Sequence, residues 1–260
     1  MLCTLPPEIL DHIVDHLHNE TATLRACCVV SKSWIPRARK HLFARVEFHT
    51  EPWKSPIELW KKTFPDPSNS PGHHTRNLSI YRAYANTGVG GWIRAFHNVV
   101  HLRLEALGED PRSSIAPFYD ISPTLRSLHL ASTSLEVFDF ICSFPLLEDL
   151  ALDIHFPGTE VDGWITPLTS PKLTGFLHLG TEWEIRPAVR RLCALPGGLR
   201  FTEIALVFLN WDAKSIIDLV SRCSDTLESL SIGWFSPPGT FPLASVTFHY
   251  LTIVHGCRPV

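Results

Sequence analysis

The stretch LRSLHL at residues 125–130 returns as LEDLAL at 147–152, and this pair fixes how the rest of the chain is read. In each copy the last two leucines stand two residues apart, so an extended backbone places both on one face and turns the residue between them to the other. The phrase recurs as VVHLRL ending at Leu104, FTEIAL ending at Leu206 and LESLSI ending at Ile232, with weaker copies ending at Ile80, Leu179 and Ile253. Between these final residues the steps are 24, 26, 22, 27, 27, 26 and 21. That spacing lies within the period of about 20 to 29 residues known for one class of solenoid. Apolar segments suited to helices or irregular turns lie between the strands: WIRAF at 92–96, LEVFDFI at 135–141, AVRRLCAL at 188–195 and KSIIDLV at 214–220. A strand with its crossover buries its inner face only against its neighbours, which predicts a curved parallel sheet with the crossovers outside. FARVEF, ending at Phe48, has the same spacing and supplies a candidate first strand. The copy LTGFLHL at 173–179 carries one extra residue, which predicts a bulge or a shifted register.

These phrases resemble a leucine-rich-repeat arm. The usual asparagine or cysteine after the strand is missing: Leu104 is followed by EAL, Leu130 by AST and Leu152 by DIH. Without that ladder to satisfy the turning backbone, the repeats are expected to be irregular and unevenly curved. LTIVHGCRPV at 251–260 ends just past a predicted strand with no polar cap, so a partner covering that edge or a shortened arm is expected there. Upstream, the interval before Ile80 contains a helical piece from Ile57 to Phe64, then a proline-serine stretch that reads as a surface loop. Trp53, Trp60 and Phe64 are too apolar to be left in water and are expected to pack on the first repeats.

The first forty-five residues read differently. In LPPEILDHIVDHL, Ile9, Ile13 and Leu17 recur every four residues with Leu10 and Val14 beside them, while Asp11, Asp15 and His18 can stay wet, a helical pattern. Pro6 and Pro7 suit a helix start, and Glu8 sits near the positive end of its dipole. After HNET, Leu24, Cys27 and Cys28 begin a second helix. Ser31 is the expected cap of a third helix running through Trp34 to His41 and Leu42, with Pro36 deep enough in it to predict a distortion. Three such helices bury too little apolar area to be stable unaided, so something must cover them.

Leu5-Pro6-x-Glu8-Ile9, followed by Ile13, Leu17, Leu24, Val30, Lys32 and Trp34, resembles the F-box motif over about residues 4 to 45. That resemblance implies docking on a Skp-type adaptor, which links such proteins to a cullin scaffold in a ubiquitin ligase. It also implies that Leu5, Pro6, Ile9, Ile13, Leu17, Leu24, Val30 and Trp34 contact the adaptor or hold the interface in shape. The plainer alternative is a helical cap on the solenoid. The expected organisation is an F-box at 1–45 and a leucine-rich-repeat-like domain at 46–260. The fold class is an α+β or α/β solenoid: a small three-helix bundle, then an irregular arc built on a parallel sheet.

Chemistry is scarce. The chain has 260 residues, 45% of them hydrophobic, and a formal net charge of −3, too small a field to argue for nucleic acid or an anionic membrane. No apolar run approaches the roughly 18 residues of a membrane span, and a signal-peptide pattern is missing, so a cytoplasmic or nuclear location is expected. The cysteines, Cys3, Cys27, Cys28, Cys142, Cys193, Cys223 and Cys257, form no C-x-x-C pair and read as reduced core thiols. TGVGGW at 87–92 lacks the third glycine of a dinucleotide fingerprint. His12 and His16 lack the acid and third ligand of a zinc site, and His73 and His74 have no nucleophile beside them. Neither catalysis, nor a cofactor, nor a metal is expected. Arg37, Arg39, Lys40 and Arg45 make either a solvated basic face or a contact for an acidic partner. Trp164, Trp183, Trp211 and Trp234 either fill the core or anchor a target. The expected function is a non-catalytic substrate receptor that tethers an unknown protein target to a ligase; the alternative is a repeat scaffold without one.

Overall fold

The computed structural model describes residues 6–49, 56–81, 91–105, 114–121, 123–132, 137–154, 171–181, 184–208, 212–236 and 247–254. Three helices, α1 (Pro7–His16), α2 (Thr21–Val30) and α3 (Ile35–Leu42), pack on one another and lead into a nine-stranded sheet. The strands are β1 (Arg45–His49), β2 (Asn77–Tyr81), β3 (His101–Glu105), β4 (Ser127–Ser132), β5 (Asp149–Ile154), β6 (Phe176–Thr181), β7 (Glu203–Phe208), β8 (Ser229–Ser236) and β9 (Thr247–Val254). They lie side by side in chain order, β1 to β8 all parallel, giving a leucine-rich-repeat-like arc.

The register explains why the phrase must repeat. Leu78, Leu102, Leu128, Leu150, Leu177 and Ile204 form one continuous row of paired positions, and Ile80, Leu104, Leu130, Leu152, Leu179 and Leu206 form a second. All are buried. The crossovers close over these rows with Phe96, Phe118, Phe138, Phe140, Leu192 and Leu219, which are almost inaccessible to solvent. Each such side chain contributes on the order of 1.5–3 kcal/mol on burial, so the arc rests on one long core.

Main-chain bonds join successive repeats where the strands begin. The carbonyl just before a strand accepts two amides from the next repeat: Ala44 from Arg76 and Asn77, Val100 from Arg126 and Ser127, Thr202 from Glu228 and Ser229. The extra residue near 173–179 perturbs this joint without shifting the strand. Leu173 adopts φ 43°, and β6 pairs with β7 without interruption from Phe176 to Thr181. Gly175 N still reaches Glu148 O at 3.0 Å, but Phe176 N turns to Asp149 Oδ1 at 2.9 Å. A side-chain carboxylate thus stands in for a main-chain acceptor, and a Cβ at Gly175 would collide with it.

Several expectations are corrected. The copy ending at Ile253 is no repeat: β9 runs antiparallel along β8, with Ile253 opposite Leu230. Only ten residues, 237–246, separate the two strands, and a parallel return needs a crossover of about a dozen or more. The proline-serine stretch is only half a surface loop. It forms two 3-10 turns, Pro67–Asn69 and Pro71–His74, capped by Asp66 and Ser70, and Ser70, Pro71 and Gly72 are buried. Gly72 lies so close to Ala95 that a Cβ would sit 3.1 Å from its backbone oxygen. Ser31 does not cap the third helix. Its hydroxyl bonds within a turn to Ser33, the helix starts at Ile35, and Pro36 falls in the first turn, where a missing N–H costs nothing. Trp60 and Phe64, from the helix Pro56–Thr63 and its end, do pack against Phe43, and Trp60 also meets Phe48 and Phe96. Trp53 lies outside the described residues.

Candidate functional site

The helical head has a small interior. Among the described residues, Val14, Leu24, Cys27 and Ala38 are buried there, with Leu17, Cys28, Trp34 and Leu42 half-buried around them. None of the four is aromatic, and two of them are no larger than a cysteine, so this core fills little volume. Electrostatics help close the bundle. Asp15 on α1 accepts Arg37 Nε at 2.5 Å, a second Arg37 nitrogen on its other oxygen, and His41 Nε2 at 2.7 Å. These charge-assisted hydrogen bonds, Arg37 first, hold the Asp15 carboxyl well below the usual carboxylate range and push Arg37 up. Arg37 is therefore neither a free solvated charge nor available to a partner. Arg39 lies over the Phe43 ring at 5.9 Å, leaving Lys40 and Arg45 as the exposed part of the basic patch.

Apolar surface remains open on this head. Ile9 and Ile13, one turn apart on α1, are 46% and 42% exposed, and Val30 at the end of α2 is 70% exposed. Of the other candidate residues, Pro6 is exposed, Leu17 and Trp34 are half-buried against the bundle core, and Leu24 lies inside it. Leu5 lies outside the described residues. Sequence reasoning passed over Val29, which is 87% exposed, although two adjacent valines closing a helix cannot both face a two-helix interior. The head is joined to the arc by Thr75 Oγ1 donating to Phe43 O at 2.9 Å and by the amides of Arg76 and Asn77 on Ala44 O.

The second surface is the open face of the sheet, opposite the crossovers. Register places Ser79, Arg103, His129, Ala151, His178, Ala205 and Ser231 in one row across it. At its centre Asp153 bridges two neighbouring strands, accepting His129 Nε2 at 2.8 Å and His178 Nε2 at 3.1 Å. Burial pushes this carboxyl up, but the two histidine hydrogen bonds outweigh it and hold Asp153 well below the usual range. Phe176 lies partly exposed beside His178, and nearer the head His49 stacks on Tyr81 with Arg103 over the same ring. These side chains offer hydrogen bonds and flat contact area, the equipment of a binding surface.

Among the described residues no group of three His, Cys, Asp or Glu side chains is placed to hold a metal ion, and His12 and His16 stand in solvent. Burial pushes the Cys142 thiol up to about 11 and also raises Cys193 and Cys223, which keeps them protonated and unreactive. No described helix is long and apolar enough to cross a membrane. The glycine-rich TGVG at 87–90, Cys3, Cys257, Trp164, Trp183 and Trp211 lie outside the described residues, as does the side chain of Trp234. The sequence matches no protein-family model and no curated protein.

Proposed function

We propose that this chain is a substrate-recognition subunit of a cullin-based ubiquitin ligase, docking on a Skp-type adaptor through its helical, F-box-like head and holding a target protein on its leucine-rich-repeat-like arm. The observation that carries this reading is the exposure of Ile9, Ile13, Val29 and Val30 on a bundle whose own interior is so small. Apolar side chains left exposed on α1 and at the end of α2 gain by being covered, and an adaptor would supply further core. The open sheet face would take the target, and tethering alone would raise the target's effective concentration at the ligase. Ubiquitin transfer itself would belong to partner subunits, in the cytoplasm or nucleus.

A second reading, a repeat scaffold without a ligase, is favoured by the way α3 runs straight into β1 and by the bonds from Thr75 and Arg76 onto the head, the geometry of a solenoid cap. Co-expression with a Skp-type adaptor separates the two. The receptor reading expects a complex that survives size-exclusion chromatography and is weakened at least about tenfold by Ile9→Ala with Ile13→Ala, as the loss of two interface anchors entails. Failure of the wild-type chain to co-elute leaves only the scaffold.

A further inference from the structure

The two outer edges of the sheet are finished differently. At one edge β1 has five residues, and two of them, Arg45 and Glu47, are charged and exposed. Short length and charge are the usual means by which a sheet edge is kept from pairing with a foreign strand. At the other edge β9 has eight residues, TFHYLTIV, with no Lys, Arg, Asp, Glu or Pro among them. Its pairing with β8 runs unbroken from Thr247 to Val254, so no bulge twists this edge away. Among the described residues no strand lies along its outer side. The core also opens towards this edge. The row that is almost inaccessible from Leu78 to Ile204 becomes half-buried at Leu230, and opposite it Ile253 is 46% exposed.

We propose that β9 is a homodimer interface, pairing antiparallel with β9 of a second copy about a two-fold axis perpendicular to the sheet. A strand that meets its own copy about such an axis is necessarily antiparallel to it, and a strand without charge meets no like charge there. The axis also keeps the crossover sides of both sheets on one side. The apolar row that ends at Ile253 then runs on into the same row of the copy, which closes the open end of the core. A lone peptide strand brings no crossovers and leaves that end uncovered. Pairing β9 with the β1 edge of another molecule sets Arg45 and Glu47 against an uncharged strand and repeats without closing. The register that matches apolar positions puts Leu251 at the axis, with Thr252 diagonal to its own copy at about 7–8 Å. This interface is independent of the adaptor reading, since β9 and the helical head stand at opposite ends of the sheet.

The test is the mass of the full chain by sedimentation equilibrium, from about 1 to about 100 µM, because mass action sets the dimer fraction. The expected result is a rise to twice the chain mass and no further. Thr252→Lys and Thr252→Glu should each weaken the dimer at least about tenfold with an unchanged circular dichroism spectrum, since Thr252 is exposed and like charges then stand across the axis. An equimolar mixture of the two variants should restore the dimer, which a merely disordered strand would not do. A wild-type chain that stays monomeric, variants that dimerise as the wild type does, or a mixture that stays monomeric overturns the proposal. A mass that keeps rising past the dimer overturns it too, since that marks open-ended pairing. Adaptor co-elution is scored with separate variants in the head, so failure of one reading leaves the other standing.

Discussion

The helical head and the arc are built from the same apolar residue types, yet they use them in opposite ways. In the arc, every strand copy passes its inner pair to the next, so leucines of successive repeats stack into rows that are closed over by Phe118, Phe138 and Phe140. In the head, four small or medium residues are buried while Ile9, Ile13, Val29 and Val30 face outward. A repeat supplies its own partner in the following repeat, whereas three short helices run out of partners after the third. The arc is therefore the stabilising body and the head the part with less of its apolar surface buried.

The hardest blow to that contrast falls in the arc. Phe140 is fully buried, packed edge-on against Phe144 and Tyr119 at ring separations of 4.8 and 5.1 Å. Phe140→Ala should cost about 3–5 kcal/mol, read as a lower urea midpoint at unchanged slope. A loss below about 1 kcal/mol would mean that the repeats do not share one core. At the irregular joint, Gly175→Ala should cost about 1–3 kcal/mol by expelling the Asp149 carboxylate from Phe176 N. In the Asp149→Ala background the same glycine change should cost much less, because the collision has been removed; strict additivity of the two would refute the carboxylate joint.

Effects in the head are smaller. Asp15→Ala leaves Arg37 with only its longer contact to Asp11 at 3.9 Å, and since the Asp15 and Arg37 side chains are about one-third exposed the loss should be roughly 0.5–1 kcal/mol, confined to residues 7–42 in hydrogen exchange. The pH dependence has a definite sign. The folded-state Asp15 carboxyl is depressed, so its contribution is complete above the unfolded value near 4 and disappears as pH falls through the folded value. Protection of the head should thus fade below about pH 4 in the wild type and show no such added loss in Asp15→Ala. The smallest effect sharpens the comparison most: Val29→Ser should change the chain's own stability by no more than about 0.5 kcal/mol by thermal denaturation, because its side chain has scarcely been taken out of water.

The positions of the parallel strands were readable because their signal is local. A two-residue apolar alternation within LRSLHL or LEDLAL survives whatever the remainder of the chain does, and its return at nearly constant spacing allows only a stack. The helix start at Pro7 was legible from Pro6 and Pro7, whereas the start at Ile35 was harder. Proline marks a first turn, but whether Ser31 caps a helix or a separate turn depends on a backbone path that its neighbours settle. The apolar stripe of Ile9 and Ile13 on α1 was legible from spacing, whereas the exposure of Val29 was not, because an adjacent pair carries no period.

What the sequence determined by itself was therefore the repeat, the strand faces and the existence of a helical head, since each depends on spacing along a single segment. Tertiary structure alone decided that β9 turns back antiparallel, that Arg37 is spent on Asp15, that Asp149 replaces a main-chain acceptor beside Gly175, and which of the head's apolar residues stay in water. Each of those outcomes depends on what a second, distant segment leaves uncovered or unpaired, and no periodicity within one stretch of chain carries that information.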